Sequence, residues 1–438
     1  MNIRLFFILI IFGIGLSCSD DDENVGIPTL LVTGEDVVKP DSALLLEIAV
    51  NVPGLLRQDG IQGEVLNGEG ALARTTIQGE NSSNGSASFE FTAGSSEDTN
   101  SLLRFTATDQ AGQMGTLEFE VDITSLDIKQ VVVLNEGNFF SANGTLDVVD
   151  VKSGEVEPGV YQVSATVQQA VPYLDNIYLV TNAPDRLDVL DNALSLQVSV
   201  SEGLDNPVDF AAVGDVGYVS NWGDINTAFT DEPDSYIALV DLTNNTLFDS
   251  VTLTARPQGL LAHQDLIYIA NEGGASVSVL DPNDLSLAEI PTAAGPSELI
   301  SDGNGLIWVL CTSGSLMAID PSSSTVVTEI ANLITSGFNE KMAMNGTGEI
   351  LYFLGGSNDS FTGLTTVYKV DINTEDVTPI IENGFALYGI GVNPESGEIY
   401  LGDSNAFQST GTGFRYDILG NEVDQFATGI GPKSFLFL

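Results

Sequence analysis

Short segments in which apolar and polar residues alternate, separated by clusters of Gly, Asn and Ser, run through most of this 438-residue chain. Leu44-Leu45-Leu46-Glu47-Ile48-Ala49-Val50 and Ser88-Phe89-Glu90-Phe91-Thr92 are early examples. Successive side chains of a strand point to opposite faces, so a period of two predicts half-buried β-strands. The 45 glycines point to the many tight turns such strands require. The pattern predicts an all-β protein.

Residues 27–125 form a first domain of short strands. It ends on a predicted hairpin whose arms are Leu103-Arg104-Phe105-Thr106-Ala107-Thr108 and Gly115-Thr116-Leu117-Glu118-Phe119-Glu120-Val121. This hairpin resembles the last two strands of bacterial immunoglobulin-like domains, which implies an Ig-like sandwich. No chemistry-bearing cluster falls within it, so it reads as a spacer.

Residues 128–438 repeat. One strand per unit ends on an aspartate: Asp150, Asp191, Asp241, Asp281, Asp320, Asp371 and Asp417, spaced by 41, 50, 40, 39, 51 and 46 residues. Before each of the last six lies a strand centred on an aromatic residue, at Tyr178, Tyr218, Tyr268, Trp308, Tyr352 and Tyr400, with Val132 in that place in the first unit. A third marker opens the inner strands at Asn206-Pro207, Arg256-Pro257, Gly295-Pro296 and Gly431-Pro432. Units of about 45 residues with several strands each have the spacing of propeller blades. The last marker leads into a strand with no unit after it, while the first unit lacks an innermost strand. The expectation is a seven-bladed β-propeller closed by the C-terminal strand. The seven aspartates need only a turn role, since Asp can bond the backbone two residues on.

The N-terminus has a separate logic. A basic start is followed by the apolar run Leu5–Leu16, too short for a permanent bilayer span and suited to a signal peptide, residues 1–17. Leu16-Ser17-Cys18 resembles the lipobox of bacterial lipoproteins, which implies lipidation at Cys18. The alternative is ordinary cleavage, with Cys18 incidental. Residues 18–26 contain Asp20-Asp21-Asp22-Glu23, a solvated tether that also resembles the acidic signal for display on the outer membrane's outer face. The expected location is the outer membrane, lipid-anchored and exposed at the cell surface. If Cys18 carries lipid, Cys311 has no partner for an intramolecular disulfide.

Charge narrows the partners. Thirteen Lys and Arg against 61 Asp and Glu give a formal charge of −48. Such a surface repels a phosphate backbone, so nucleic acid is excluded, as is attachment to anionic lipid through a basic patch. The catalytic signals are equally sparse. There is one histidine, His263, and no zinc-protease, nucleophile-elbow or P-loop pattern. No cofactor, metal site or catalytic residue is expected. A propeller lyase or hydrolase is disfavoured for lack of histidines.

Candidate binding residues come instead from loops after the aromatic strands, which line one face of a propeller. These carry Asn135, Phe139, Phe140, Asn182, Asn221, Trp222, Asn271, Phe361 and Phe407. Amides beside aromatic rings suit a neutral or weakly cationic ligand with amide groups and a flat apolar surface. Turn formation alone accounts for the glycines around them; for the aromatics, binding and surface chance stay open.

Leu266-Ile267-Tyr268-Ile269-Ala270-Asn271 followed by Ser276-Val277-Ser278-Val279-Leu280-Asp281 resembles the YncE-like, or YVTN, surface-layer-type propellers. With the lipobox and Leu134-Asn135-Glu136-Gly137-Asn138-Phe139, the chain is similar to surface lipoproteins that sit on TonB-dependent transporters. One branch, the BtuG proteins, captures corrinoids. The resemblance implies a non-enzymatic protein that passes a small molecule, corrinoid-like, to such a transporter. A structural or adhesive surface protein binding a protein or glycan is the competing expectation.

Overall fold

The computed structural model describes residues 26–33, 37–40, 42–96, 99–123, 128–138, 140–230, 233–333, 341–355, 365–382 and 386–438. The chain divides into two compact units at Asp127/Ile128.

The first unit is built from two four-stranded sheets. One runs Thr29–Thr33, Ala43–Asn51, Asn84–Ala93, Gly70–Gln78 in spatial order; the other runs Val37–Val38, Met114–Ile123, Thr99–Asp109, Leu56–Asn67. Along Ala43–Asn51 every second residue is buried, and Leu46 and Ile48 meet Phe89 and Phe91 of the neighbouring strand and Leu103, Phe105 and Val121 of the other sheet. Phe89 and Phe105 close this core edge-to-face at 5.1 Å.

The second unit contains seven four-stranded sheets among the described residues, a propeller-type arrangement. Their innermost strands are, in turn, Pro432–Phe437, Thr166–Tyr173, Pro207–Val213, Leu260–His263, Pro296–Ser301, Met342–Met344 and Leu387–Val392. Each contacts the next and the last contacts the first, closing a ring. The C-terminal strand pairs antiparallel with Gln130–Asn135, placing Phe435 opposite Val133 and Phe437 opposite Val131.

The repeated residues have separate structural tasks. Tyr178, Tyr218, Tyr268, Trp308, Tyr352 and Tyr400 are all buried, filling the seams between neighbouring sheets. Tyr178 stacks on Phe210 of the next sheet at 4.5 Å, and Tyr400 meets Phe435 and Phe437 at 5.8 and 5.5 Å. All seven repeat aspartates accept the N–H two residues on, as in Asp241 to Thr243 at 2.8 Å and Asp417 to Leu419 at 2.9 Å. Each is a turn bracket, and the Thr243 hydroxyl and N–H hold the Asp241 carboxyl below its usual range.

Candidate functional site

The loop asparagines expected to face a ligand are used inside the fold. Asn135 and Asn221 are fully buried and Asn271 is nearly so. Asn135 Nδ2 donates to Asp147 at 2.7 Å and Thr145 at 3.1 Å. Asn221 Nδ2 donates to the Val219 carbonyl at 2.9 Å while its Oδ1 accepts the Asp205 N–H at 3.0 Å. Asn271 Nδ2 donates to Ser278 and Ser276 at 2.7 and 3.1 Å. Each amide nitrogen ties the end of a second strand to its neighbourhood. Asn182 is half-buried and its Oδ1 accepts from Thr166 and Gln168.

The aromatics divide differently. Phe140 is 94% exposed. Phe407 is half-buried, edge-to-face with Tyr388 at 5.0 Å. Trp222 is half-buried: its Nε1 donates to the Pro257 carbonyl at 2.8 Å and its ring meets Phe229 at 5.6 Å. Arg256 lies against both rings, 4.8 Å from Trp222 and 4.4 Å from Phe229, while pairing with Glu272 at 2.6 Å. Phe139, Phe361 and Cys18 lie outside the described residues.

A second assembly, at the ring's axis, was not anticipated. Five innermost strands shift register near their start, between Val167 and Gln169, Pro207 and Asp209, Pro296 and Glu298, Leu387 and Gly389, and Pro432 and Ser434. A bulge of this kind re-aims side chains. The pocket formed there is lined by Gln168, Gln169, Asp209, Gln258, Ser297, Glu298, Lys341 and Lys433, together with Val208 and Gly259.

Hydrogen bonds at the axis couple neighbouring sheets. Lys433 Nζ donates to Gln168 Oε1 at 2.8 Å and lies 3.5 Å from Glu136. Glu136 also accepts the Tyr388 hydroxyl. Lys341 Nζ pairs with Glu298 at 3.2 Å. Asp209 accepts N–H bonds from Phe210 and from Leu260 of the next sheet, both at 2.8 Å. The charges shape one another accordingly. Burial, helped by Glu298 and opposed by the two N–H bonds and Lys341, pushes the Asp209 carboxyl up to about 7. Burial opposes the charge on Lys341, but Glu298, Asp209 and Glu136 outweigh it and raise the ammonium. Burial, with Lys341 adding repulsion, lowers Lys433 against the pull of Glu136.

Asp209 carries a pH prediction. The folded state holds its proton up to about 7, whereas the unfolded chain releases it near the ordinary 3.8. The folded state therefore binds more protons across that interval, and stability falls as pH rises. The contribution is fully present below 3.8 and lost through 7. Asp209→Asn should remove this component, so that the melting-temperature difference between wild type and variant changes progressively between those values. A constant difference would contradict the assignment.

The axial residues had a readable signal. Gln258, Lys433, Asp209 and Glu298 each follow a strand-opening proline by one or two positions. Two of the chain's 13 basic residues lie at this one place. Among the described residues, no group of three or more His, Cys, Asp or Glu is arranged to hold a metal ion.

A family model described as "Domain of unknown function (DUF5074)" matches residues 129–431. No curated protein matches the chain. Among solved structures, hydrazine synthase of Kuenenia stuttgartiensis is similar at 14% identity, covering 59% of this chain and 85% of that one, with a TM-score of 0.49. The computationally designed Ika8 protein is similar at 14% identity, with 70% and 87% covered and a TM-score of 0.45. AztD of Citrobacter koseri is similar at 11% identity, with 77% and 94% covered and a TM-score of 0.44.

Proposed function

We propose that this chain, which belongs to the DUF5074 family, is a non-enzymatic surface lipoprotein that binds a small molecule at one end of a propeller axis. In this reading residues 27–125 are an Ig-like spacer and residues 128–438 a seven-bladed propeller. The observation that carries it is the convergence of polar side chains from the innermost strands on a single axial pocket. Its charged groups pair with one another rather than with a nucleophile, which favours binding over catalysis.

Corrinoid is the proposed ligand class and a TonB-dependent transporter the proposed partner, both from the resemblance to BtuG-type lipoproteins. Exposed Phe140 and half-buried Phe407 offer apolar surface for a flat ligand. The test is calorimetric titration of the full chain with cobalamin and cobinamide. Saturable binding is expected at micromolar concentration or below; its absence would remove the corrinoid reading. Phe140→Ala with Phe407→Ala should weaken binding about thirtyfold per ring that acts as a hot spot, about 2 kcal/mol each.

The adhesive alternative draws on exposed Phe140, Ile225 and Phe229, and binding of neither corrinoid would favour it. Anchoring is tested separately. Cys18→Ala should release the protein from membranes or leave the precursor uncleaved, and unchanged fractionation with unchanged mature mass would argue against lipidation.

A further inference from the structure

We propose that the axial pocket is a subsite for an uncharged carboxamide group, a reading that rests on the propeller being a ligand binder and specifies what its axis recognises. The pocket holds opposite charges in close quarters. Asp209 and Glu298 come from the third and fifth sheets, Lys341 and Lys433 from the sixth and first. An anion entering it meets the Glu298 carboxylate, and a cation meets two ammonium groups, while the Asp209 carboxyl keeps its proton up to about 7. Either must shed its water in a confined space where like charges repel strongly. A group that is neutral but dipolar avoids both penalties.

The pocket also supplies donors and acceptors together. Ser297 is 1% exposed, and its Oγ has no hydrogen-bond partner among the described residues. A buried hydroxyl left unmatched is costly, and a ligand oxygen would satisfy it. Gln169 commits its Oε1 to the Ala170 N–H at 3.1 Å, which leaves the Nε2 donors to the pocket it lines. Each lysine has three N–H donors, and Lys341 directs one to Glu298. On the acceptor side, Glu298 takes Lys341 on Oε2, and each Asp209 oxygen takes one backbone N–H and retains a lone pair. A carboxamide fits this division: its carbonyl accepts from Ser297 and Gln169, and its two N–H groups donate to Asp209 and Glu298.

The experiment uses the full chain near neutral pH and three small fluorinated probes of similar size: trifluoroacetamide, trifluoroacetate and 3,3,3-trifluoropropylammonium. Fluorine NMR line broadening, followed as a titration, reads saturable binding. Trifluoroacetamide should saturate, while the two ions should bind at least tenfold more weakly. Gln169→Leu combined with Ser297→Ala should weaken the amide at least tenfold. Equal or tighter binding of either ion overturns the proposal, as does amide binding that the double substitution leaves intact, or no amide binding at all. The wild-type comparison decides the matter even if the variant fails to fold. Binding of cobinamide without the amide probe would sink this subsite and spare the proposed function; the reverse would spare the subsite and sink the corrinoid reading.

Discussion

A chain ending at Lys433 is expected to lose the native ring. Removing Ser434–Leu438 takes most of the strand Pro432–Phe437, which pairs with Val131, Val132, Val133 and Leu134 of the first strand. It also removes bonds from the Lys129 and Gln130 N–H groups to the Leu438 carbonyl, at 2.8 and 3.0 Å. The backbone groups left behind face an open sheet edge. Phe435 and Phe437 leave together, and both contact Tyr400 of the seventh sheet. Losing one buried phenylalanine side chain costs about 3–5 kcal/mol, and each unmade backbone bond adds about 1 kcal/mol. Typical domain stability is about 5–15 kcal/mol, so the truncation should leave little or no cooperative unfolding. Urea and thermal melts read this directly. A truncated protein with the wild-type midpoint would mean that the terminal strand does not hold the ring closed.

Arg256→Ala is the single substitution expected to act most strongly. Arg256 and Glu272 form an ion pair whose side chains are 8% and 4% exposed. Deleting one partner of a buried ion pair costs about 3–5 kcal/mol. Part of the effect should come from the rings, because the guanidinium lies against Trp222 and Phe229 and the segment between them loses that anchor. Urea unfolding should show the loss, and Glu272→Gln added to Arg256→Ala should recover part of it by removing a buried negative charge that has lost its guanidinium. A single variant within about 0.5 kcal/mol of wild type, the usual effect of a surface substitution, would show that the pair is solvated.

The turn aspartates and the seam aromatics were legible because their jobs are local or periodic. An aspartate bonding the N–H two residues on needs nothing beyond its own turn, and all seven do so. Tyr178, Tyr218, Tyr268, Trp308, Tyr352 and Tyr400 recur in the same strand of successive units, and any face-to-face stacking of such units buries them. The loop asparagines were harder. An asparagine that ends a strand has the same local pattern whether its amide turns outward or inward. For Asn135, Asn221 and Asn271 the direction depends on Asp147, the Val219 carbonyl and Ser278, which no local rule identifies as partners.

By itself, the sequence determined the all-β class, the repeating unit, the turn chemistry and the role of the last strand, each of which follows from period, propensity and position. Only the tertiary structure decided where the polar chemistry gathers. Lys341 and Lys433 are 92 positions apart in the chain, yet both line one pocket with Asp209 and Glu298. Closing the ring brings the starts of the innermost strands together, and the bulges aim their side chains inward. Charges that would be screened by water in an open strand then meet in a confined space, where burial and neighbouring charges reset their protonation.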